Sequence, residues 1–236
     1  MARLSKRRKN IMKEHREGAL YPLADAIQVV TRCATARFDE SIDVAVHLGV
    51  DPKRSEQNVR GALVLPHGSG KNVRVGVFCS EAKQDEAKKA GADIVGGVEL
   101  VEAILSGGAL GFDRCVATPD MMPEVGKLGR ILGPRGLMPN PKLGNVTDNV
   151  GKVVKDMKGG QVSFKTEKNA IVHTSVGRAS FTPKALEDNV QALVDALRKA
   201  KPSGVKGQYI KRMSMSSSMG LGVAISVSSI GTGRGT

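Results

Sequence analysis

Tryptophan is absent from this 236-residue chain, and its aromatic side chains are limited to five Phe and two Tyr. With so few rings, any that stands outside a hydrophobic pattern is a candidate for a specific contact. The three cysteines, Cys33, Cys79 and Cys115, are widely spaced and contain no Cys-x-x-Cys pair. That excludes a disulfide framework and a cysteine zinc site, and fits a reducing cytoplasm. His15, His47, His67 and His173 lack metal-ligand spacing, so no metal is expected. No apolar run reaches the ~18 residues of a spanning helix, and no apolar signal core follows the basic start; a soluble, unexported protein without a membrane partner is expected. Catalytic signatures are missing too. There is no Gly-x-Ser-x-Gly elbow. Gly68-Ser69-Gly70-Lys71 fails as a phosphate loop, because Leu65 stands where the first glycine belongs and Asn72 where the hydroxyl belongs. A nucleotide-dependent enzyme would need such a loop or an acid/base pair, so the reading is of a non-enzyme with no catalytic residue and no cofactor.

Positive charge is what the chain has in excess: 36 Lys and Arg against 23 Asp and Glu, a net +13. A polyanionic partner follows, nucleic acid ahead of an anionic membrane. The excess is unevenly spread. Residues 68–159 hold 13 basic and 11 acidic side chains, leaving 23 against 12 in the flanks, so +11 of the charge lies outside the middle segment. Composition alone also permits sequence-blind binding to any nucleic acid.

Hydrophobic periodicity separates the same segments. Residues 1–17 are basic with too few apolar positions to bury a face and read as a mobile tail. Leu23, Ile27 and Val30 mark a helix. Ile42, Val44, Val46 and Leu48 alternate with polar residues as in a half-buried strand. Gly61–Leu65 is continuously apolar, as in a central strand. Strands over 73–78, 92–95 and 115–117 alternate with helices over 81–90 and 98–105, the pattern of a mostly parallel α/β layer. A helix over 149–157 ends at Gly159-Gly160. Val162 and Phe164 then return through a turn near 167–169 to 170–174 as a hairpin. Thr182 caps a helix with Pro183 at its first position and a stripe of Leu186, Val190, Leu193 and Leu197. Strands over 208–215 and 221–227 follow, separated by a break at 216–220, and the Gly/Ser end from Ser228 reads as a loose tail. The fold class is therefore an α+β host domain, an antiparallel sheet with helices, built from 1–67 and 160–236. An α/β domain over 68–159 is inserted in it. Gly68, Gly70, Gly159 and Gly160 sit at the two crossings and read as a hinge.

Between Gly126 and Thr147 the prolines 134, 139 and 141 and the glycines 129, 133, 136 and 144 leave neither helical nor strand period, which predicts a loop. Ile131, Leu132, Leu137 and Met138 imply that it docks on the protein, and Lys127, Arg130, Arg135 and Lys142 make it basic. This run closely resembles the signature of the large-subunit ribosomal protein family numbered first, the bacterial protein that heads the mobile stalk near the tRNA exit site. Ala36-Arg37-Phe38-Asp39-Glu40, Val59-Arg60-Gly61, Leu65-Pro66-His67-Gly68 and Ser216-Ser217-Ser218-Met219-Gly220 extend the resemblance over nearly the whole chain. The resemblance implies a host domain that binds the rRNA stalk, carrying a Rossmann-like insertion. It also implies contact with exit-site tRNA and help in its release, repression of the protein's own mRNA, and a monomer when off the ribosome.

The candidate site residues follow from both arguments. Phe38 beside Arg37 can stack on a base or ribose while the guanidinium takes a phosphate; read alone it fits equally a core ring at a strand start, and the resemblance favours RNA. Ser214, Ser216, Ser217, Ser218, Met219 and Gly220 offer hydroxyls and close backbone approach to ribose and phosphate. The resembling family ends this turn in Ser-Ser-Thr-Met-Gly-Pro, so Ser218 and Leu221 are departures. Arg54, Lys165 and Lys168 are phosphate candidates that also fit a solvated face. Arg130, Arg135 and Lys142 are possible contacts from the inserted domain.

Overall fold

The computed structural model describes residues 6–14, 18–108 and 110–230. In chain order the elements are α1 (Lys6–Glu14), β1 (Leu20–Tyr21), α2 (Leu23–Cys33), β2 (Ser41–Leu48), β3 (Arg60–Val64), β4 (Val75–Phe78), α3 (Glu81–Lys89), β5 (Ile94–Gly96) and α4 (Val98–Leu105). They continue as β6 (Arg114–Ala117), α5 (Met122–Lys127), α6 (Gly129–Leu132), α7 (Val150–Lys158), β7 (Gln161–Lys165), β8 (Ile171–Arg178), α8 (Pro183–Lys199), β9 (Ile210–Ser217) and β10 (Val223–Ile225). The protein is a mixed α/β fold. It divides into two compact units, one made of the chain up to Gly70 and from Val162 onward, the other of Lys71–Gln161.

In the first unit a five-stranded sheet runs β1-β10-β9-β2-β8. Strand β2 pairs antiparallel with both β8 and β9, and every second residue of it, Ile42, Val44, Val46 and Leu48, is buried. Helix α2 places Leu23, Ala26, Ile27, Val30 and Cys33 on its buried side. Helix α8 starts where the Thr182 hydroxyl accepts from the Ala185 amide at 3.3 Å, and it buries Leu186, Val190, Leu193 and Leu197. Both helices share one core with the buried face of the sheet. Burial of so many Leu, Ile and Val side chains, each worth ~1.5–3 kcal/mol, is what holds this unit together.

The second unit is three-layered. Its parallel sheet has the order β5-β4-β6. Phe78, Cys115 and Ala117 join Val101, Ile104, Val125, Leu128 and Leu132 in one cluster. Val75, Val77, Cys79 and Val116 join Ala87, Val150, Val154 and Met157 in the other. All four residues of β4 are buried, as a central parallel strand covered on both faces requires. The Phe78 and Phe112 rings meet edge to face, 5.9 Å between centroids. Cys33, Cys79 and Cys115 are buried and none is in a disulfide, and burial pushes the Cys115 thiol pKa up to about 12.

Four expectations are corrected. The stretch 126–147 is not all loop: α5 closes in it and α6 lies within it, with Leu128 and Leu132 fully buried, while Ile131, Leu137 and Met138 pack against the same core as expected. Strand β3 is not central; it forms a two-stranded sheet with β7, and Val64 is exposed. The expected hairpin does not form, since β7 pairs with β3 and β8 with β2, leaving only a bridge between Thr166 and Val172. Gly61 explains the pairing: a Cβ there would stand 2.6 Å from the Phe164 ring, which packs directly on the β3 backbone. Finally, residues 6–14 are helical and bury Ile11. The rest of the basic start, His15, and the end beyond Ile230 lie outside the described residues.

Candidate nucleic-acid interface

Strand register gathers most of the expected residues at one end of the five-stranded sheet. Ser41 pairs with Arg178 and Ile42 with Ser217. The segment leading into β2 and the turn leaving β9 therefore lie side by side. The Ser218 amide donates to the Ser41 carbonyl at 3.0 Å, and the Ser41 amide to the Ser218 hydroxyl at 3.0 Å. Glu40, only 1% exposed, joins the two further. Its Oε1 accepts from the Ala36 amide at 2.8 Å and the Arg7 guanidinium at 3.1 Å, and its Oε2 accepts from the Met219 amide at 3.0 Å. Burial works to raise the Glu40 pKa, but the Met219 and Ala36 amides, the Ser217 hydroxyl and the Arg7 charge outweigh it and hold the carboxyl below its ordinary value. Asp39 accepts from the Ser180 amide and hydroxyl at 3.1 and 2.8 Å. On this frame Phe38 and Met219 each remain 57% exposed, and Arg37 is exposed beside them.

The sheet's second face continues from that end. Opposite the face shared with α2 and α8 it presents Asp43 between Ser175 and Ser216, and Ala45 between His173 and Ser214, with His47 beside Arg212. Asp43, His173 and Arg212 are exposed. Small side chains and hydroxyls over several ~4.8 Å strand spacings make a surface that a nucleic acid's riboses and phosphates can approach closely. Of the expected residues, Ser214 and Ser216 are on this face and Ser218, Met219 and Gly220 at its end. Ser217 differs from them in being buried on the core face, because β9 continues through it, where a break was expected, and alternation turns it inward. A Cβ at Gly220 would run into the Ser217 hydroxyl, which ties this turn to glycine.

Arg54, Lys165 and Lys168 belong to the opposite end, where His47 pairs with Ile171. Along an extended strand Ser41 and Leu48 stand roughly 23 Å apart, so these cations do not join Phe38 in one site. Lys165 and Lys168 line an open groove of about 800 Å³ together with Asn58, Arg60, Asn169 and His173. Arg54, in the loop after β2, is exposed and pairs with Asp51 at 3.7 Å.

A sequence profile of the Ribosomal protein L1p/L10e family matches residues 30–221. The chain belongs to that family. It is thus a ribosomal protein of the large subunit, ribosome-associated and RNA-binding, and not an enzyme. The matched span takes in Phe38, Glu40, the Ser218–Gly220 turn and all of the inserted unit, whereas α1 and β1 precede it.

Within the inserted unit Arg130 and Arg135 are exposed, and the Lys142 side chain lies outside the described residues. Lys127 is ion-paired with Glu124 at 2.7 Å, an acidic partner just ahead of the stretch. Gly68, Gly70 and Gly160 have φ of 70°, 68° and 98°, conformations that favour glycine, while Gly159 caps α7 with ordinary φ. The first crossing is pinned: the fully buried Asn189 accepts from the His67 amide at 3.1 Å and donates to the Gly68 carbonyl at 3.1 Å. No helix follows Lys71, so the phosphate-loop geometry is absent there as well. Sequence reasoning did not single out Glu40, Asp43, His47, Ser175 or Arg212, which the fold places at this end or on this face. For Asp43 and His47 the alternation of β2 was an available signal; Ser175 and Arg212 reach the face only through the register of β8 and β9, and for Glu40 there was no signal, since its partner Met219 is 179 residues away. Among the described residues no helix is long and apolar enough to cross a membrane.

Proposed function

We propose that the host unit grips a structured stalk of large-subunit rRNA through the Phe38–Met219 end and the open sheet face. The observation that carries this is the pair of large apolar side chains, Phe38 and Met219, left 57% exposed on a frame fixed by hydrogen bonds and continuous with a hydroxyl-lined face. A ring in that position stacks on an unpaired base, Arg37 takes a phosphate, and the serines meet ribose hydroxyls. The Lys165–Lys168 groove and Arg54 add phosphate contacts farther along the RNA.

The finer roles rest on the resemblance of the Gly/Pro stretch to its family signature. In this reading the inserted unit is Rossmann-like and offers Arg130, Arg135 and Lys142 to exit-site tRNA, whose release it assists. The same host surface binds the protein's own mRNA to repress its translation, and the free protein is a monomer. The two units move about a hinge at their two crossings. Because Asn189 pins His67 and Gly68, the freedom lies in the coil after Gly70 and at Gly159-Gly160.

The test is Phe38→Ala. Loss of one stacked base weakens binding to the stalk segment by ~1–3 kcal/mol, with the melting temperature unchanged because the ring is exposed. Unchanged affinity would remove Phe38 from the interface and with it the central support of this reading.

A further inference from the structure

We infer that Glu40 is the positioning residue of the RNA surface: a buried carboxylate that never touches RNA but sets the Phe38 segment and the Met219 turn in one mutual geometry. The inference rests on the RNA-binding reading above. A carboxylate is a poor choice near a polyanion on charge grounds alone, since it repels phosphate. Its contacts explain its presence. Oε1 takes the Ala36 amide and the Arg7 guanidinium, Oε2 takes the Met219 amide, and these three donors come from three separate segments of the chain. Both oxygens are committed, so no neutral side chain of the same shape replaces them; a glutamine amide turns a donor toward one of the amide donors. Arg7 supplies the compensating charge from α1, so docking of that helix and order at the platform are coupled. Held in place before binding, Phe38 and Met219 avoid the ordering cost that two mobile side chains and their loops would carry.

The experiment is a double-mutant cycle in the full-length protein, with a stalk rRNA fragment as the probe. Glu40→Gln removes a negative charge, so an electrostatic effect alone would tighten binding. Positioning predicts the opposite sign, a loss of about tenfold. That loss shrinks to less than about threefold when Glu40→Gln is placed in a Phe38→Ala, Met219→Ala background, because the groups it positions are gone. A tighter or unchanged complex for Glu40→Gln overturns the inference, and so does an undiminished loss in the doubly substituted background. Should Glu40→Gln fail to fold, Arg7→Met gives the same cycle from the other side of the contact: a loss that depends on Phe38 and Met219 supports the inference, and a loss independent of them, or none, overturns it. If Phe38→Ala with Met219→Ala has no effect on affinity, the RNA-binding reading itself fails at this surface. If that variant weakens binding while the Glu40 cycle shows no coupling, only the positioning role fails.

Discussion

Glu40 stays ionised in a nearly water-free position because two backbone amides and a guanidinium replace the water it loses. Its pKa is lower in the folded protein than the ordinary 4.5, so at acid pH the unfolded chain binds the extra proton. The stability it contributes is therefore complete above about pH 4.5 and is lost as pH falls through the lower, folded value. Acid unfolding followed by circular dichroism should show a shallower acid-side decline in Glu40→Gln than in the natural protein. An identical slope would mean that Glu40 does not titrate with folding. Nothing in the local sequence discloses this role, for Ala36-Arg37-Phe38-Asp39-Glu40 reads as a polar approach to a strand. Phe38 differs: its neighbours and its rarity in the chain were enough to mark it as a candidate, with a core ring equally open, and its exposure rules out the core reading.

Elements were legible where one face is buried and the other wet. Strand β2 and helices α2 and α8 carry that asymmetry in their residue order, at period 2 and 3.6 respectively. It fails for β3, whose apolar run reflects contact with the Phe164 ring across Gly61 and not a place in mid-sheet. It fails again for α6, where Leu128 and Leu132 are one helical turn apart but hidden among glycines and prolines. This makes a sharp prediction. Leu132, expected only to dock as part of a loop, is fully buried in the core, so Leu132→Ala should destabilise the inserted unit by ~2–5 kcal/mol. Thermal unfolding of the variant checks it, and a change below about 0.5 kcal/mol, as at surface sites, would contradict the burial of Leu132 in this core.

At the scale of the molecule, charge and architecture divide together. The net +11 of the flanking segments belongs to the part of the chain that carries the open sheet face, whereas the inserted segment is close to neutral at +2. The alternation of strand and helix was enough to mark the inserted segment, because a parallel sheet needs a covering helix between its strands. What no local pattern could show is which end of the host sheet each cation occupies, since that depends on register between strands more than a hundred residues apart. The account's central claim is that this basic unit recognises folded RNA through built contacts and not through charge alone. It is tested most directly by the affinity of the protein for the stalk rRNA segment and for a duplex DNA of equal charge, each titrated over several salt concentrations. Phosphate contacts weaken steeply with salt for both, while stacking and ribose contacts do not. The account predicts that preference for the rRNA persists at high salt after DNA binding has vanished; the two affinities collapsing together would contradict it.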